Sequence, residues 1–263
     1  MRRPLKAIAT SGLSTLIGGL LVSVQIIPAF AQHHHSSPHH SSPRNTTTKP
    51  SIISPPSPQA SKVETLVNQG LDKLHKQNYA EALKDFDQAI ELDKNHQIVY
   101  LYRADLRSQL KDYKGAIEDY TIAKKYNPSF PYIYNQQGKA YEALRNYPKA
   151  IENYTQAIKL YPEDGIGYAN RGIAYYKLGH NKQAMENFNK AIAMNNGQAD
   201  AYFNRGNLHI KLGNNQAAIA DYQKARLLYS EQGKQQAYLR ATLTMQKVIG
   251  SLAAPTVNTF RLR

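Results

Sequence analysis

A thirteen-residue pattern returns five times in this chain at a fixed interval of 34 residues. Ala82–Lys94 reads ALKDFDQAIELDK and Ala116–Pro128 reads AIEDYTIAKKYNP. Ala150–Pro162 reads AIENYTQAIKLYP, Ala184–Asn196 AMENFNKAIAMNN, and Ala218–Ser230 AIADYQKARLLYS. Self-similarity at one short period means a stacked array of a single supersecondary unit. One unit cannot bury its own apolar face, so its neighbour must cover it. The copies are 63–96, 97–130, 131–164, 165–198 and 199–232, with no insertion between them.

Each copy divides into two helical patterns around a short polar break. In the third copy Tyr134, Gly138 and Tyr141 form an i, i+4, i+7 stripe, and Arg145-Asn146-Tyr147 is the break. Ala150, Tyr154 and Ala157 repeat that spacing in the second helix, which Pro162 stops. Small residues recur where two helices must nearly touch. They are Gly70, Ala104, Gly138, Gly172 and Gly206 in one column, and Ala82, Ala116, Ala150, Ala184 and Ala218 in a second. Ala89, Ala123, Ala157, Ala191 and Ala225 make the third. Between the two Ala columns stands an aromatic residue every time: Phe86, Tyr120, Tyr154, Phe188, Tyr222. Large rings set into small-residue holes bury area while letting backbones approach. A polar column pairs Arg103 with Asp119 and Arg205 with Asp221. The related pairs are Gln69/Asp85, Gln137/Asn153 and Arg171/Asn187, and all five read as scaffolding within a repeat.

These columns resemble the tetratricopeptide repeat over residues 63–232. Tyr100, Tyr134, Tyr168 and Tyr202 stand where that family most often has Trp, and Leu66 does so in the first copy. Asn181 and Asn215 replace a usual Tyr, and the terminal Pro survives only as Pro128 and Pro162. The resemblance implies an all-α, right-handed superhelical solenoid of five helix pairs. Gly233–Gly250 is expected to close it as a capping helix, using Ala237, Leu239, Leu243, Met245, Val248 and Ile249 to cover the fifth pair. Residues 251–263 form a tail.

The start of the chain is a different material. All 19 tyrosines lie at or after Tyr79, and the first acidic residue is Glu64. Arg2, Arg3 and Lys6 precede the apolar run Ala7–Ile27, and Ala29-Phe30-Ala31 makes a small-x-small cleavage site. Residues 1–31 therefore read as an export signal cut before Gln32, giving a periplasmic or envelope-associated protein. The alternative is an uncut N-terminal membrane anchor. Residues 32–62, rich in Ser, Pro and His, are expected to be a disordered linker. His33, His34, His35, His39 and His40 are weak metal candidates, because a floppy run cannot fix a tetrahedral site. The chain has no cysteine, so no disulfide forms in any compartment.

No catalytic constellation is visible. His75, His96, His180 and His209 share no column, and there is no phosphate-cradling Gly loop after a strand. The chain is read as a non-enzyme with no cofactor, whose function lies on its surface. In the resembled family the first helices line a concave groove that takes a partner's peptide or helix. A second stripe on those helices supplies the expected groove residues here. They are Val67, Leu71, Leu101, Tyr132, Asn135, Lys139, Ile166, Ile173, Tyr176, Phe203, Asn207 and Ile210. The family's clamp for acidic C-terminal peptides would need Lys, Asn, Asn, Lys and Arg where Val67, Leu71, Tyr102, Tyr132 and Gln136 stand, so that recognition is not expected.

The expected partner is another protein, held by an apolar or mixed surface. The formal charge of +14 raises anionic surfaces as an alternative. Much of the excess sits in the leader, the linker and the tail; after Glu231 no acidic residue occurs, while Lys234, Arg240, Lys247, Arg261 and Arg263 do. Weak membrane association is the form this alternative takes. Nucleic acid is not expected, since no basic stripe interleaves with exposed aromatics.

Overall fold

A computed structural model describes residues 57–253. The expected export signal, most of the expected linker with its histidines, and residues 254–263 lie outside the described residues. Eleven helices and no strand occupy the described part. The first helices of the five pairs are α1 (Pro58–His75), α3 (Gln97–Gln109), α5 (Pro131–Ala143), α7 (Gly165–Lys177) and α9 (Ala199–Lys211). Their partners are α2 (Tyr79–Leu92), α4 (Tyr113–Tyr126), α6 (Tyr147–Leu160), α8 (Asn181–Met194) and α10 (Asn215–Glu231). A final helix, α11 (Gln235–Ala253), follows. Helix α1 begins inside the stretch expected to be linker. The reason is local: Pro58 occupies the first turn, where its missing N–H costs nothing, and the Ser57 hydroxyl accepts from Ala60 N–H at 3.2 Å.

The break inside each pair is a left-handed turn repeated at the 34-residue period. Gln77, Lys111, Arg145, Gly179 and Gly213 all have positive φ, between 58° and 79°. The next residue's N–H reaches back five positions in every copy: Asn78 to Lys73, Asp112 to Arg107, Asn146 to Tyr141, His180 to Tyr175, Asn214 to His209. This is the Schellman arrangement, which satisfies carbonyls the helix end would leave free. Gly233 repeats it between α10 and α11, with Lys234 N–H on the Tyr229 carbonyl.

The three small-residue columns and the aromatic column form the core. Phe86, Tyr120, Tyr154 and Phe188 are fully buried and Tyr222 nearly so, as are the alanines on both sides of them. Gly138 shows why the facing column stays small: a Cβ there would come within 2.6 Å of the Tyr154 ring. Overlap of that size forces one helix to move.

The polar column does more than tie two helices of one repeat. Arg103 makes a bidentate pair with Asp119 (2.9 and 2.6 Å) and also reaches Asp87 in the preceding repeat at 2.6 Å. Arg205 bonds Asp221 twice (2.9 and 2.7 Å) and Asn189 of the preceding repeat at 2.7 Å. Arg171 bonds Asn187 at 2.9 Å and Thr155 at 3.1 Å in the same sense. Each arginine therefore clamps its own second helix to the one before it. Each also lies over a tyrosine three residues earlier, Tyr100, Tyr168 or Tyr202, at 5.5–5.6 Å from the ring centre.

Two expected pairs are absent. Asp85 takes Lys73 at 2.7 Å rather than Gln69, since the first copy has no preceding repeat to hold. Gln137 turns to Thr121 (2.8 Å) and the Ile117 carbonyl (3.0 Å), while Asn153 caps Lys149's carbonyl.

Helix α11 covers the fifth pair with Ala237, Met245 and Val248 of the residues expected, but not with Leu239, Leu243 and Ile249. Ala241, Met245 and Val248 are its buried residues, with Ala237 and Tyr238 packed alongside. Leu239, Leu243 and Ile249 are 47, 57 and 44% exposed. The i, i+4, i+7 spacing of Ala241, Met245 and Val248 closes onto Tyr229 and Ala225. The leucines lie on the opposite side of the helix.

Candidate functional site

Successive first helices touch one another from α3 to α9, in addition to their contacts with the second helices between them. They therefore form the inner layer of the array, and the stripe expected to bind a partner sits on that layer. The structure sorts the stripe into two groups.

Val67, Leu101, Asn135 and Phe203 are buried, between 4 and 8% exposed, and belong to the seams between helices. They are corrected from groove residues to core residues. Their column, at positions 67, 101, 135, 169 and 203, is turned one step toward the neighbouring repeat. Leu71 packs with Phe86 in the first pair, and Ile173 and Tyr176 pack with Phe188 in the fourth. Ile210 packs on the fifth pair.

A rule connects these residues to the buried aromatic column. Where the aromatic is Phe, the inner-layer neighbours are apolar: Leu71 and Leu74 for Phe86, Ile173 and Tyr176 for Phe188. Where it is Tyr, an acceptor takes its hydroxyl. Tyr120 donates to Asp105 at 2.6 Å, Tyr154 to Glu142 at 2.9 Å, and Tyr222 to Asn207 at 2.8 Å. A buried hydroxyl without a partner is costly, so ring and inner-layer residue are chosen together. Tyr132 also donates to Asp105, at 3.0 Å. Burial pushes the Asp105 carboxyl up to about 6, against the pull of these two hydroxyls. Burial likewise raises Glu142. Tyr132 and Asn207, expected to face a partner, are thus occupied in holding the wall.

Lys139 and Ile166 remain open to solvent, and they stand together. Both line a hollow of about 340 Å³ on the inner layer, with Ala169 and Asn170 of α7, the turn from Asn195 to Gln198, and Asp200 of α9. Gln232 and Lys234, from the turn before α11, complete the rim. Ile166 is 53% exposed. The Asn170 side-chain nitrogen is buried and has no partner within the protein. Asp200 is fixed by the Tyr229 hydroxyl at 2.6 Å, and Gln232 by the Gly197 carbonyl at 2.9 Å, so this wall is held in place. Asp164 accepts from Asn135 at 3.1 Å and caps α7 through Ile166 N–H at 2.9 Å, which sets the start of that helix beside the hollow.

Sequence reasoning found Lys139 and Ile166 but missed Asn170, Asp200, Gln232 and Lys234. The signal for Asn170 was present. Its column reads Asn68, Tyr102, Gln136, Asn170, Asn204, able to hydrogen-bond in every copy on an otherwise apolar inner face. Gln232 and Lys234 come from a turn outside any repeat column, and only the return of α11 brings them to the rim. Among the described residues no three of His, Cys, Asp and Glu gather as a metal site would require. No helix among them is long and apolar enough to cross a membrane.

Family models for the tetratricopeptide repeat match residues 63–96, 131–164 and 199–232, and a further TPR repeat model matches 174–213. The chain is a tetratricopeptide-repeat protein, a solenoid of paired helices. It is similar in structure to MamA from Desulfovibrio magneticus RS-1, at 18% identity and a TM-score of 0.61 over 66% of this chain and 98% of that one. It is also similar to YrrB, described as a TPR protein with an unusual peptide-binding site. The values there are 19% identity and TM-score 0.55, over 70% of this chain and 97% of that one. A third likeness is to PilW, described as a type IV pilus biogenesis factor, at 18% identity and TM-score 0.56 over 70% and 92%. At such identities the likeness is one of fold. No curated protein matches the chain.

Proposed function

We propose that this protein holds a partner protein without catalysing a reaction, taking a peptide or helix of mixed apolar and polar character into the hollow between α5, α7 and α9. The observation that carries this reading is the pairing of Ile166, more than half exposed, with a buried and unpartnered amide nitrogen on Asn170, one helical turn away. A buried donor left unpaired costs about 1–3 kcal/mol, which a partner's carbonyl would relieve. An exposed isoleucine beside it gives apolar area to cover. Lys139 and Lys234 on the rim, set against Asp164 and Asp200, suit a segment carrying charges of both signs rather than a purely acidic one. YrrB's description as a peptide binder supports this use of the fold. The N-terminal signal pattern and PilW's description as a pilus biogenesis factor support action outside the cytoplasm.

The test is a peptide selection against residues 32–263, followed by titration of the selected peptides. Ile166→Glu places a charge at the centre of the contact without disturbing a buried residue. It should weaken binding at least tenfold, and Asn170→Ala should weaken it several-fold. Peptides that bind both variants as well as the parent would overturn the assignment.

A further inference from the structure

The end of a solenoid must present a polar outer face to water, because no further repeat covers it. Helix α11 presents a mixed face, with two leucines among Gln236, Gln246 and Lys247. Leu239 and Leu243, 47 and 57% exposed, fall about 150–170° around the helix from the buried stripe of Ala241, Met245 and Val248. Ile249 and Leu252, 44 and 48% exposed, lie nearer the azimuth of the buried stripe and do not belong to this outward face. Lys247 flanks the leucines on one edge, next to Arg240, whose guanidinium lies over the Phe203 ring at 4.5 Å, and Gln246 and Thr242 lie on the other edge. No acidic side chain occurs in the sequence after Glu231, and Arg261 and Arg263 add to its positive charge. A 19-residue helix with two outward leucines, a basic edge and no acid has the make-up of helices that lie in a lipid interface.

We propose that the outward face of α11 docks on an anionic lipid surface, with Leu239 and Leu243 entering the headgroup boundary and Lys247 meeting the phosphates. A second copy is the other occupant to weigh, and charge and shape disfavour it. Two α11 faces brought together, in either orientation, would bring no acidic side chain to meet Lys247. The exposed side of α1 at the far end of the array carries Lys62, Glu64, Asp72 and Lys76, with no apolar face to receive the leucines. Two half-exposed leucines also fall well short of the roughly 800 Å² per partner of a stable protein interface. A bilayer needs no complementary groove, and it supplies the missing negative charge. The inference does not rest on the hollow, which is lined by other residues.

The test uses residues 32–263, which keep all eleven helices and omit the apolar run Ala7–Ile27, itself lipid-soluble. Flotation is measured with vesicles of phosphatidylcholine alone and with one-third phosphatidylglycerol. The protein should float with the anionic vesicles and much less with the neutral ones, and added salt should reduce this. Leu239→Gln with Leu243→Gln should lower partitioning at least tenfold, and Lys247→Gln about fivefold on anionic vesicles only. All these residues are exposed, so circular dichroism and melting should match the parent. Equal flotation with both vesicle types, no flotation, or flotation unchanged by the leucine pair would overturn the proposal. So would a concentration-dependent dimer in sedimentation that the leucine pair abolishes, since the covering partner would then be a second copy. Peptide binding in the hollow should be unaffected by these substitutions.

Discussion

Asp105 shows how one residue can set the pH response of a helical array. The unfolded chain titrates near the ordinary value of 3.8, whereas burial holds the folded carboxyl at about 6. Between those values the folded protein keeps the proton that the unfolded chain has lost. This contribution to stability therefore falls as pH rises from about 4 to 6, and above 6 the loss is complete. Asn207 at the same position of the fifth copy accepts a tyrosine hydroxyl as a neutral group. Asp105→Asn should accordingly be more stable than the parent at pH 8, by up to about 3 kcal/mol, and should lose the advantage below pH 4. Chemical denaturation across that range reads the result directly. The arginine clamps give a second comparison. Arg103→Ala leaves the buried Asp119 carboxylate, 2% exposed, with Arg107 alone at 2.9 Å, and should cost about 2–3 kcal/mol through the lost charged hydrogen bonds. Arg171→Ala leaves only the neutral Asn187 and Thr155, and should cost about 1 kcal/mol. Similar losses for both would mean that packing on the tyrosines, and not charge, carries the column.

At the scale of the helix, the turn and the seam are separately testable. Gly213 has φ of +78° and open space where a Cβ would stand. Gly213→Ala should therefore cost about 1 kcal/mol through backbone conformation alone. The reverse change at Lys111, φ +66°, should stabilise by a smaller amount. Ala150 has no such room. It is fully buried against its helix partner, and Ala150→Leu should overpack the seam at a cost of about 1–3 kcal/mol, visible as a lower melting temperature. Most of this level was legible in the sequence, because a period of 34 residues places the same demand at the same position five times. Ala150 could be read as core from its column alone. The left-handed column was not, since Gln77, Lys111 and Arg145 hide a conformation that only Gly179 and Gly213 advertise. The outward leucines of α11 were misread for a related reason. A single closing helix has no second copy to show which of its two apolar faces is covered.

At the scale of the whole molecule, the array separates scaffold from surface. Every repeat commits its aromatic and small columns to packing, and the second, fourth and fifth add an arginine clamp, which leaves the inner layer to differ from copy to copy. The expected groove stripe ran evenly along that layer, yet its residues divide into seam, wall and opening. Val67, Leu101 and Phe203 were chosen for being apolar on a helix face, a property that a seam and a binding face share. Only packing distinguishes them from Ile166. The opening is confined to the third, fourth and fifth copies, where Lys139, Ile166 and Asn170 meet the turn that precedes α11.

The central claim is that a partner protein sits there. It is tested most directly by a photo-crosslinking side chain placed at Ile166 in the full chain in cells, compared with one at Leu160, which is exposed on the second helix α6. A discrete adduct from position 166, absent from 160 and competed by peptides selected on the purified protein, is the predicted result. Adducts of equal yield from both positions, or none from 166 while 160 reacts, would contradict it.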